Sequence, residues 1–565
     1  MLLVSIILLI NCVWYSWITF GALGYHGVFF SIIFFLWLIV YWSYWELYNL
    51  WIWDMTYTID LYNWIELGNH IIINVTMTGD LISILLLCIM TAGSGIVVMF
   101  VYIEMWDDKE GIIFILLLML FLIFMSILVG SSNLIVFYIG WEGIGLTSLF
   151  LINFWSERIR SNRAVVKVFF INKIGDLLLF LGIVILLSNF GCIDFRFIEA
   201  SIFIWNNKYL TCCGYSLLLL DVVIMFFVLS SGVKSVQFGF HIWLLEAMEA
   251  PLGASALMHS STLVVAGIIL LIKIYIILDY SWFARSFMII WGSWTAFFGA
   301  FIACWQYELK VILAYSTISS MGFIYLLLGL GSLREAITYL ILHAFAKIFF
   351  FLVVGLIISL CNNMQDIRWM GGLFIYMPFC WVLYIAGAIS LGGLPYWSGY
   401  YCKSSLWNYI TNNYSVWLGL QICIICSTIC TYFYLYRIGI LVFGGCKGGH
   451  WKNYRFIGIS IVYLLSFIIL MWWLLYNSIS WIIFLNNGIS NLNICTDIFL
   501  NLNYNTNIFS GYWSWGILSC LYFFVLYIFF QYHLVWGFGE DNSLNRLLQL
   551  FIFLNLVVVI WLCNI

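Results

Sequence analysis

Long apolar runs joined by short polar connections constrain this chain more than any other feature. They recur from Leu2 to Ile565, and many reach the ~20 residues that an α-helix needs to cross ~30 Å of hydrocarbon. Charged residues make up 8% of the chain, Pro occurs 3 times, and the mean hydropathy is +1.09. Because this composition leaves no room for a soluble domain, we predict an all-α, polytopic transmembrane helix bundle.

The predicted membrane spans cover most of the chain. They are residues 2–22, 27–47, 81–103, 111–129, 132–153, 165–188, 215–240, 251–276, 286–305, 309–329, 334–360, 380–408, 415–443, 457–477, 512–533 and 547–564. Residues 54–79 mix acidic and β-branched residues, and we predict short strands or a loop cap outside the membrane for them.

Several ionisable side chains lie at membrane depth, where a charge costs about 2.5–3.5 kcal/mol even on the lenient insertion scale. Residues 232–267 are largely apolar, yet they carry Lys234, His241, Glu249 and His259. Such groups face a protein interior or a water-filled path. We therefore interpret this stretch as part of a proton path.

Glu142 and Lys234 are the first candidate pair. Burial disfavours the charged form of either group and pairing favours it, so a rearrangement around such a pair loads or releases a proton. Two structural alternatives remain open. Glu142 lies among glycines in IGWEGIGLTSLF, so its carboxyl could instead stay protonated and serve only helix packing. The Lys234 side chain could instead extend to the membrane interface.

The histidines and the remaining lysines extend the hypothesis. His259 relays protons through its ring nitrogens, and His343 and Lys347 lie four residues apart on one helical face. The alternative for these three residues is a structural role. For Asp176 and Lys310, a role in the proton path and a role in packing or orientation are equally supported.

Two lysines occur where a helix break is predicted. Lys403 follows Pro395 and Gly399, and Lys234 follows Ser230, Ser231 and Gly232. Interrupted helices that line a cavity, in two related halves, are typical of ion transporters with inverted repeats.

Nucleotide and redox motifs are absent from the sequence. It holds no G-x-x-x-x-G-K-[ST], no G-x-G-x-x-G after a strand and no cysteine framework for an iron–sulfur cluster. Cys423, Cys426 and Cys430 have ligand-like spacing, but at helical positions in an apolar run we interpret them as packing residues. We predict no metal, and any redox chemistry or ATP hydrolysis belongs to another subunit.

Seven motifs in order carry a family resemblance over roughly residues 75–445: GWEGIGLTS, GVKSVQFGFHIW-x4-ME-x-P, SALMHSSTLVVAG, LAYSTISSMG, LHAFAK, QDIRWMGGL and LPYWSGYYCKS. They resemble the antiporter-like membrane subunits of NADH:ubiquinone oxidoreductase (respiratory complex I), which are related to subunits of multisubunit Na⁺/H⁺ antiporters. Lys403 stands where the chain 4 members usually carry glutamate, which favours the chain 5 branch.

The resemblance implies a role for each site residue. Glu142 and Lys234 would form the first coupling pair. His259, His343 and Lys347 would continue a central hydrophilic axis to Lys403, the terminal lysine. The less certain positions on family motifs are Asp176, Glu249, Lys310, Asp366 and Arg368. The implied divisions are 1–110 for N-terminal helices with an external cap, 111–276 and 277–445 for two antiporter-like half-channels, and 446–565 for C-terminal helices.

Three departures from the family are visible. Ile242, Leu245 and Gly253 stand where the family usually has prolines. Ser404 replaces the aspartate that usually follows the terminal lysine. The family's long lateral helix has little room, since 32 residues follow His533 and 547–565 is apolar on all faces. We therefore expect that helix to be missing, shortened or supplied by another chain.

The resemblance implies a subunit that moves protons without binding NADH or quinone, while flavin, iron–sulfur clusters and quinone belong to partner subunits. The expected partners are other membrane-arm subunits, especially the antiporter-like chain 4, and lipids such as cardiolipin. The expected location is the mitochondrial inner membrane, with a bacterial plasma membrane as the alternative. Two other functions stay open: a subunit of a cation/proton antiporter, and a scaffold that no longer pumps.

Overall fold

The computed structural model describes Ile10 and most of residues 27–444. Gaps within that range fall at 30, 51–55, 68–70, 106–107, 109, 192, 202–207, 213–214, 362, 377, 395–396 and 413–417. The expectations for spans 2–22, 457–477, 512–533 and 547–564 and for the lateral helix lie outside the described residues.

Helices form most of the described chain. The helices of the first half are α1 (Gly27–Leu50), α2 (Leu81–Glu104), α3 (Gly111–Gly130), α4 (Leu134–Ile152), α5 (Ile159–Phe190), α6 (Phe195–Ala200), α7 (Leu219–Lys234), α8 (Ile242–Glu246), α9 (Leu252–Ser260), α10 (Leu263–Lys273) and α11 (Tyr275–Asp279). Those that follow are α12 (Trp282–Ala303), α13 (Leu309–Gly329), α14 (Leu333–Leu360), α15 (Leu373–Tyr376), α16 (Pro378–Gly392), α17 (Ser398–Asn412) and α18 (Leu418–Ile438), which a π-turn at Gly439–Phe443 extends. Short 3₁₀ turns cover Ala247–Glu249 and Ile367–Trp369.

Ten helical segments within the described residues are long and apolar enough to cross a membrane, which confirms the all-α polytopic fold. Helices α2, α9, α10, α13 and α14 are almost wholly buried, whereas α1, α5, α12 and α18 bury less than half of their apolar windows. The first group therefore forms the centre of the bundle and the second group its periphery.

Two antiparallel hairpins accompany the bundle. The first pairs β1 (Tyr57–Leu67) with β2 (Ile71–Gly79), and the second pairs β3 (Tyr209–Cys212) with β4 (Tyr215–Leu218). The strands predicted within residues 54–79 are thus confirmed. Asn133 ties the first hairpin to the bundle, because its side chain accepts from Val136 N at 2.9 Å as the cap of α4 and donates to Asn74 O at 2.6 Å.

The break near Lys234 follows this residue, so the prediction of a break at Ser230–Gly232 is wrong. Both serines stay helical because their hydroxyls donate to the carbonyls three residues earlier, at 2.9 and 2.8 Å. Gly232 serves close packing, since a Cβ there would lie 2.3 Å from the Trp291 ring. The helix ends at Lys234, and two residues later Val236 takes a φ of 61°.

Two other predicted spans are interrupted. Residues 251–276 divide between α9 and α10, and the Thr262 hydroxyl at this break donates to Leu257 O at 2.8 Å. Residues 380–408 divide between α16 and α17, with Gly393 at a φ of +82°. A helix break before Lys403 is therefore confirmed. Interrupted helices leave backbone groups without helical partners, and buried side chains satisfy several of them.

Candidate functional site

Glu142 lies on α4 in contact with α5. Its carboxylate accepts a hydrogen bond from the Tyr138 hydroxyl at 2.8 Å and forms an ion pair with Lys173 at 2.5 Å. The Glu142 side chain is 23% exposed. This carboxylate therefore lies at the edge of the bundle with one side accessible from outside the chain.

Lys173 and Asp176 continue the network inward along α5. The Lys173 ammonium lies 3.4 Å from the Asp176 carboxylate, which also accepts from Trp141 Nε1 at 2.7 Å. On the other side of Asp176, the Lys234 ammonium lies 3.9 Å away. Glu142, Lys173, Asp176 and Lys234 thus form a row of alternating charges that leads from the edge of the bundle to its interior. We call this row the charged row.

Lys234 is the most enclosed member of the charged row. Its side chain is 1% exposed, its ammonium lies 5.1 Å from the centre of the Trp141 ring, and no described residue accepts a hydrogen bond from it. Gly145 provides the space, because a Cβ there would lie 3.3 Å from the ammonium. The helix break follows directly, and Trp243 Nε1 donates to the freed Val233 carbonyl at 2.8 Å.

The direct Glu142–Lys234 pair that the sequence suggested is replaced by this longer row. Lys173 is the residue that sequence reasoning missed, although it lies three residues before Asp176 on one helical face. Asn172 is buried beside Glu142 and Asp176 in a small cleft, and neither polar atom of its side chain bonds to a described residue. A polar cleft of this kind suits a water molecule.

Lys310 and Glu104 hold the two sides of the helix break before α9. The Lys310 ammonium donates to Met248 O at 3.3 Å and to Ala250 O at 3.1 Å. It also interacts electrostatically with Glu104 and Glu249. The Glu104 carboxylate accepts from Leu252 N at 2.9 Å and from Gly253 N at 3.0 Å. Burial raises the pKa of the Glu104 carboxyl, while the two N–H donors act in the opposite direction.

His259 and His343 are buried in the centre of the bundle. The His259 ring is fully buried, its centre lies 6.0 Å from that of Phe351, and the charges of Lys310 and Lys347 reach it. The ring of His343 lies beside the backbone of Ser260. No nitrogen of either ring completes a hydrogen bond with the part of the chain that is described.

Lys347 lies on α14 one turn after His343. Its side chain is fully buried, and its ammonium donates to the Ser316 hydroxyl on α13. Lys403 is half-buried on α17, and its ammonium donates to Gly392 O at 2.9 Å and to Thr431 Oγ1 at 3.0 Å. The charge of Lys403 also reaches Lys347.

The neighbour of Lys403 behaves as an ordinary helical serine. The Ser404 hydroxyl donates to Tyr401 O at 3.0 Å within α17. No ion pair involving Lys403 occurs among the described residues, in contrast to Lys234.

The candidate residues thus fall into two groups. The charged row joins Glu142, Asp176 and Lys234, whereas Lys310, His259, His343, Lys347 and Lys403 form a second group linked by charge and proximity. Within the described residues, no cluster of three or more His, Cys, Asp or Glu side chains is arranged to hold a metal ion.

Charged side chains held inside a bundle of interrupted helices define a class of polytopic membrane protein with an ionisable interior. Residues 131–430, more than half of the chain, match the family described as NADH:quinone oxidoreductase/Mrp antiporter, transmembrane. The chain belongs to this family.

Individual relatives carry a narrower name. The chain is 34% identical over 403 residues to NADH-ubiquinone oxidoreductase chain 5 of Chondrus crispus, covering 69% of this chain and 59% of that protein. The protein of the same name from Acanthamoeba castellanii is 32% identical over 72% of this chain and 61% of its own length. In Paramecium tetraurelia the identity rises to 40%, over 51% of this chain and 50% of the relative. The chain therefore spans only about 60% or less of these relatives.

Proposed function

We propose that this chain is a proton-translocating membrane-arm subunit of an NADH:ubiquinone oxidoreductase. It moves protons through buried Lys, Glu, Asp and His side chains and binds neither NADH nor quinone itself. The names of its relatives and its family membership support its assignment to this complex. The charged row supports the activity more than any other feature.

The charged row suits proton loading because each of its charges acts on a neighbour at short distance. At an effective dielectric of about 20, two unit charges near 4 Å interact by about 4 kcal/mol, so moving one member changes how strongly its neighbour holds a proton. Moving one charge against 100 mV costs about 2.3 kcal/mol. The Asp176–Lys234 distance of 3.9 Å therefore provides an interaction of sufficient size.

The proposal continues through the second group of residues. A proton released near Lys234 passes by way of His259, His343 and Lys347 to Lys403, with water between them. Glu249 and Lys310 flank this route, since both act at the break before α9. The half-channels expected at 111–276 and 277–445 provide the two sides of the route.

The assembly supplies the rest of the chemistry. We propose that flavin, iron–sulfur clusters and quinone reside in partner subunits. We also propose that the antiporter-like chain 4 is the immediate neighbour and that lipids such as cardiolipin bind the subunit. The eukaryotic sources of the relatives support a mitochondrial inner membrane, with a bacterial plasma membrane as the alternative.

The test is Lys234→Met in the assembled complex reconstituted into vesicles. We expect fewer protons to be translocated per NADH oxidised, because the charged row loses its buried cation. Lys167→Met is the matched control, since Lys167 lies in a mostly exposed pair with Glu246. Equal proton yields for Lys234→Met and the unmodified complex would contradict the proposal.

The second candidate is a subunit of a multisubunit cation/proton antiporter, which the family's description favours. The two are distinguished by purification and transport: an antiporter subunit co-purifies without flavin or iron–sulfur proteins and supports Na⁺-dependent proton flux. A scaffold that no longer pumps is the third candidate, and the replacement of the usual aspartate by Ser404 favours it. For a scaffold, both Lys234→Met and Lys403→Met leave the proton yield unchanged.

A further inference from the structure

Helix α9, which carries His259, is short and interrupted on both sides. It is 9 residues long, Pro251 precedes it, and the break at Thr262 follows it. A helix of this length depends on tertiary contacts rather than on its own stability. The place of His259 in the bundle therefore depends on the contacts that hold the two ends of α9.

The contact at the start of α9 is a carboxylate from a distant part of the chain. Glu104, the last residue of α2, accepts from Leu252 N through Oε1 at 2.9 Å and from Gly253 N through Oε2 at 3.0 Å. The first N–H groups of a helix have no partner within the helix, and a negative charge beside them interacts favourably with the helix dipole. One side chain thus satisfies two amides and matches their partial charge.

Two further contacts make this arrangement specific to the break before α9. Gly253 lets α9 approach α2, because a Cβ there would overlap Cγ2 of Val101 and come within 3.5 Å of the Glu104 carboxylate. The Lys310 ammonium donates to two carbonyl oxygens just before α9. An anion therefore binds the N–H groups after the break, and a cation binds the carbonyl groups before it.

We propose that Glu104 is a positioning residue for proton translocation, which fixes the start of α9 and thereby the place of His259. This inference rests on the proposed function. His259 follows Leu252 by seven residues, which places both on one face of the helix about 10 Å apart along its axis. A shift at the start of α9 therefore moves His259 relative to Lys310 and Lys347, whose charges reach its ring.

The test measures the rate of proton translocation across a pH series in vesicles that contain the assembled complex. Glu104→Gln keeps the shape of the side chain, but its carboxamide accepts from only one of the two N–H groups and turns an NH₂ donor toward the other. We expect the rate to fall about 10-fold, because loss of one hydrogen bond to a charged group shifts an equilibrium by that order. We also expect the pH profile to shift, since His259 then lies in a different field, whereas general destabilisation lowers the rate by one factor at every pH.

Glu110→Gln is the matched control. Glu110 is an exposed carboxylate at the N-cap of α3, and its side chain makes no capping hydrogen bond. Its rate and pH profile should therefore match those of the unmodified complex. A Glu104→Gln complex that also matches the unmodified complex at every pH would contradict the positioning role.

A second background removes the N–H group that Glu104→Gln leaves unpaired. Gly253→Pro lacks this donor, proline is tolerated in the first turn of a helix, and Val101→Ala makes room for the new Cβ. In this double variant, adding Glu104→Gln should lower the rate much less than it does in the unmodified chain. An equal loss in both backgrounds would overturn the proposal. If Glu104→Gln alone does not assemble, the triple variant must assemble and translocate as the double variant does, or the proposal is wrong.

Lys234→Met in the same vesicles separates this inference from the proposed function. If Lys234→Met lowers the proton yield while Glu104→Gln alters neither the rate nor the pH profile, only the positioning role fails. If Lys234→Met leaves the proton yield unchanged, the proposed function fails and the positioning role fails with it.

Discussion

Lys234 and Lys403 occupy comparable positions beside interrupted helices, yet the structure supports their charges by different means. Lys234 lies at the end of α7 with the Asp176 carboxylate 3.9 Å away and Lys173 and Glu142 beyond it. Lys403 donates only to neutral oxygens of Gly392 and Thr431 among the described residues. One lysine belongs to a charge network, and the other belongs to a hydroxyl and carbonyl environment.

The difference determines which changes each lysine tolerates. Removing one partner of a buried ion pair leaves an uncompensated charge and costs about 3–5 kcal/mol. Losing one hydrogen bond from a neutral group to a charge costs about 1.5–3 kcal/mol. The first half of the chain therefore depends on charges that must be present together, whereas the second half depends on several weaker contacts.

The largest effect is expected for Asp176→Asn. Without the carboxylate, Lys234 must either give up its proton or remain buried as an unpaired cation, because no described residue accepts a hydrogen bond from it. We expect a loss of about 3 kcal/mol in unfolding free energy together with loss of coupled proton translocation. Thermal unfolding of the purified complex and proton yield per NADH measure the two quantities.

Glu246→Gln is the control for Asp176→Asn. Glu246 also pairs with a lysine, Lys167, but both side chains are accessible to solvent, at 27% and 55% exposed. Loss of the carboxylate charge should destabilise the protein strongly at the buried Asp176–Lys234 pair and hardly at all at the exposed Glu246–Lys167 pair. Similar shifts in unfolding temperature for the two variants would show that burial does not determine how much an ion pair contributes to stability. That result would contradict the contrast drawn between Lys234 and Lys403.

A smaller effect is expected for Thr431→Val, which keeps the shape of the side chain and removes the hydroxyl. Lys403 then retains Gly392 O and the face of the Tyr432 ring, whose centre lies 5.4 Å from the ammonium. We expect a loss of about 1.5 kcal/mol and a proton yield reduced only a few-fold. The same two measurements apply.

Thr428→Val provides the control on the same helix. The Thr428 hydroxyl donates to Ile425 O at 2.8 Å and is exposed, so its removal should leave both measurements unchanged. A Thr431→Val effect as large as that of Asp176→Asn would contradict the assignment of Lys403 to a neutral environment.

The helical bundle was predictable from the sequence because the apolar runs exceed the length that a membrane requires and exclude other folds. The strands at 57–79 were predictable from β-branched composition. The break after Lys234 was not, because Ser230 and Ser231 look like helix-breaking residues. In a buried helix their hydroxyls bond to the helix's own carbonyls instead.

The sequence selects most of the charged candidates, but it does not give their pairing. Charge at membrane depth selected Glu142, Lys234, Lys347 and Lys403, since each is costly unless buried in protein. Pairing depends on how helices rotate against one another, and a sequence does not give that rotation. Lys173 therefore went unnoticed between Glu142 and Asp176. A neutral residue such as Ser316, which accepts a hydrogen bond from Lys347, gives no signal in an apolar helix, because most such hydroxyls serve packing.

The smallest effect is expected outside the membrane-spanning helices, at Asp366 and Arg368. The Arg368 side chain donates two hydrogen bonds of 3.0 Å to the Asp366 carboxylate and is 58% exposed. These bonds hold the pKa of the Asp366 carboxyl below its ordinary value. This is the same pairing of aspartate with a cation as in Asp176 and Lys234, but in contact with solvent.

The sign of the pH dependence follows from the lowered pKa of Asp366. The pair stabilises the folded protein above the ordinary aspartate pKa of about 3.9, and this contribution is lost as the pH falls through the lower pKa of the folded state. Arg368→Gln should therefore unfold slightly more readily than the unmodified protein at neutral pH, and the difference should vanish under strongly acidic conditions. Thermal unfolding followed across acidic pH measures it, with proton yield unchanged. A reduced proton yield in Arg368→Gln would place this exposed pair in the machinery and remove the distinction between buried and exposed charges.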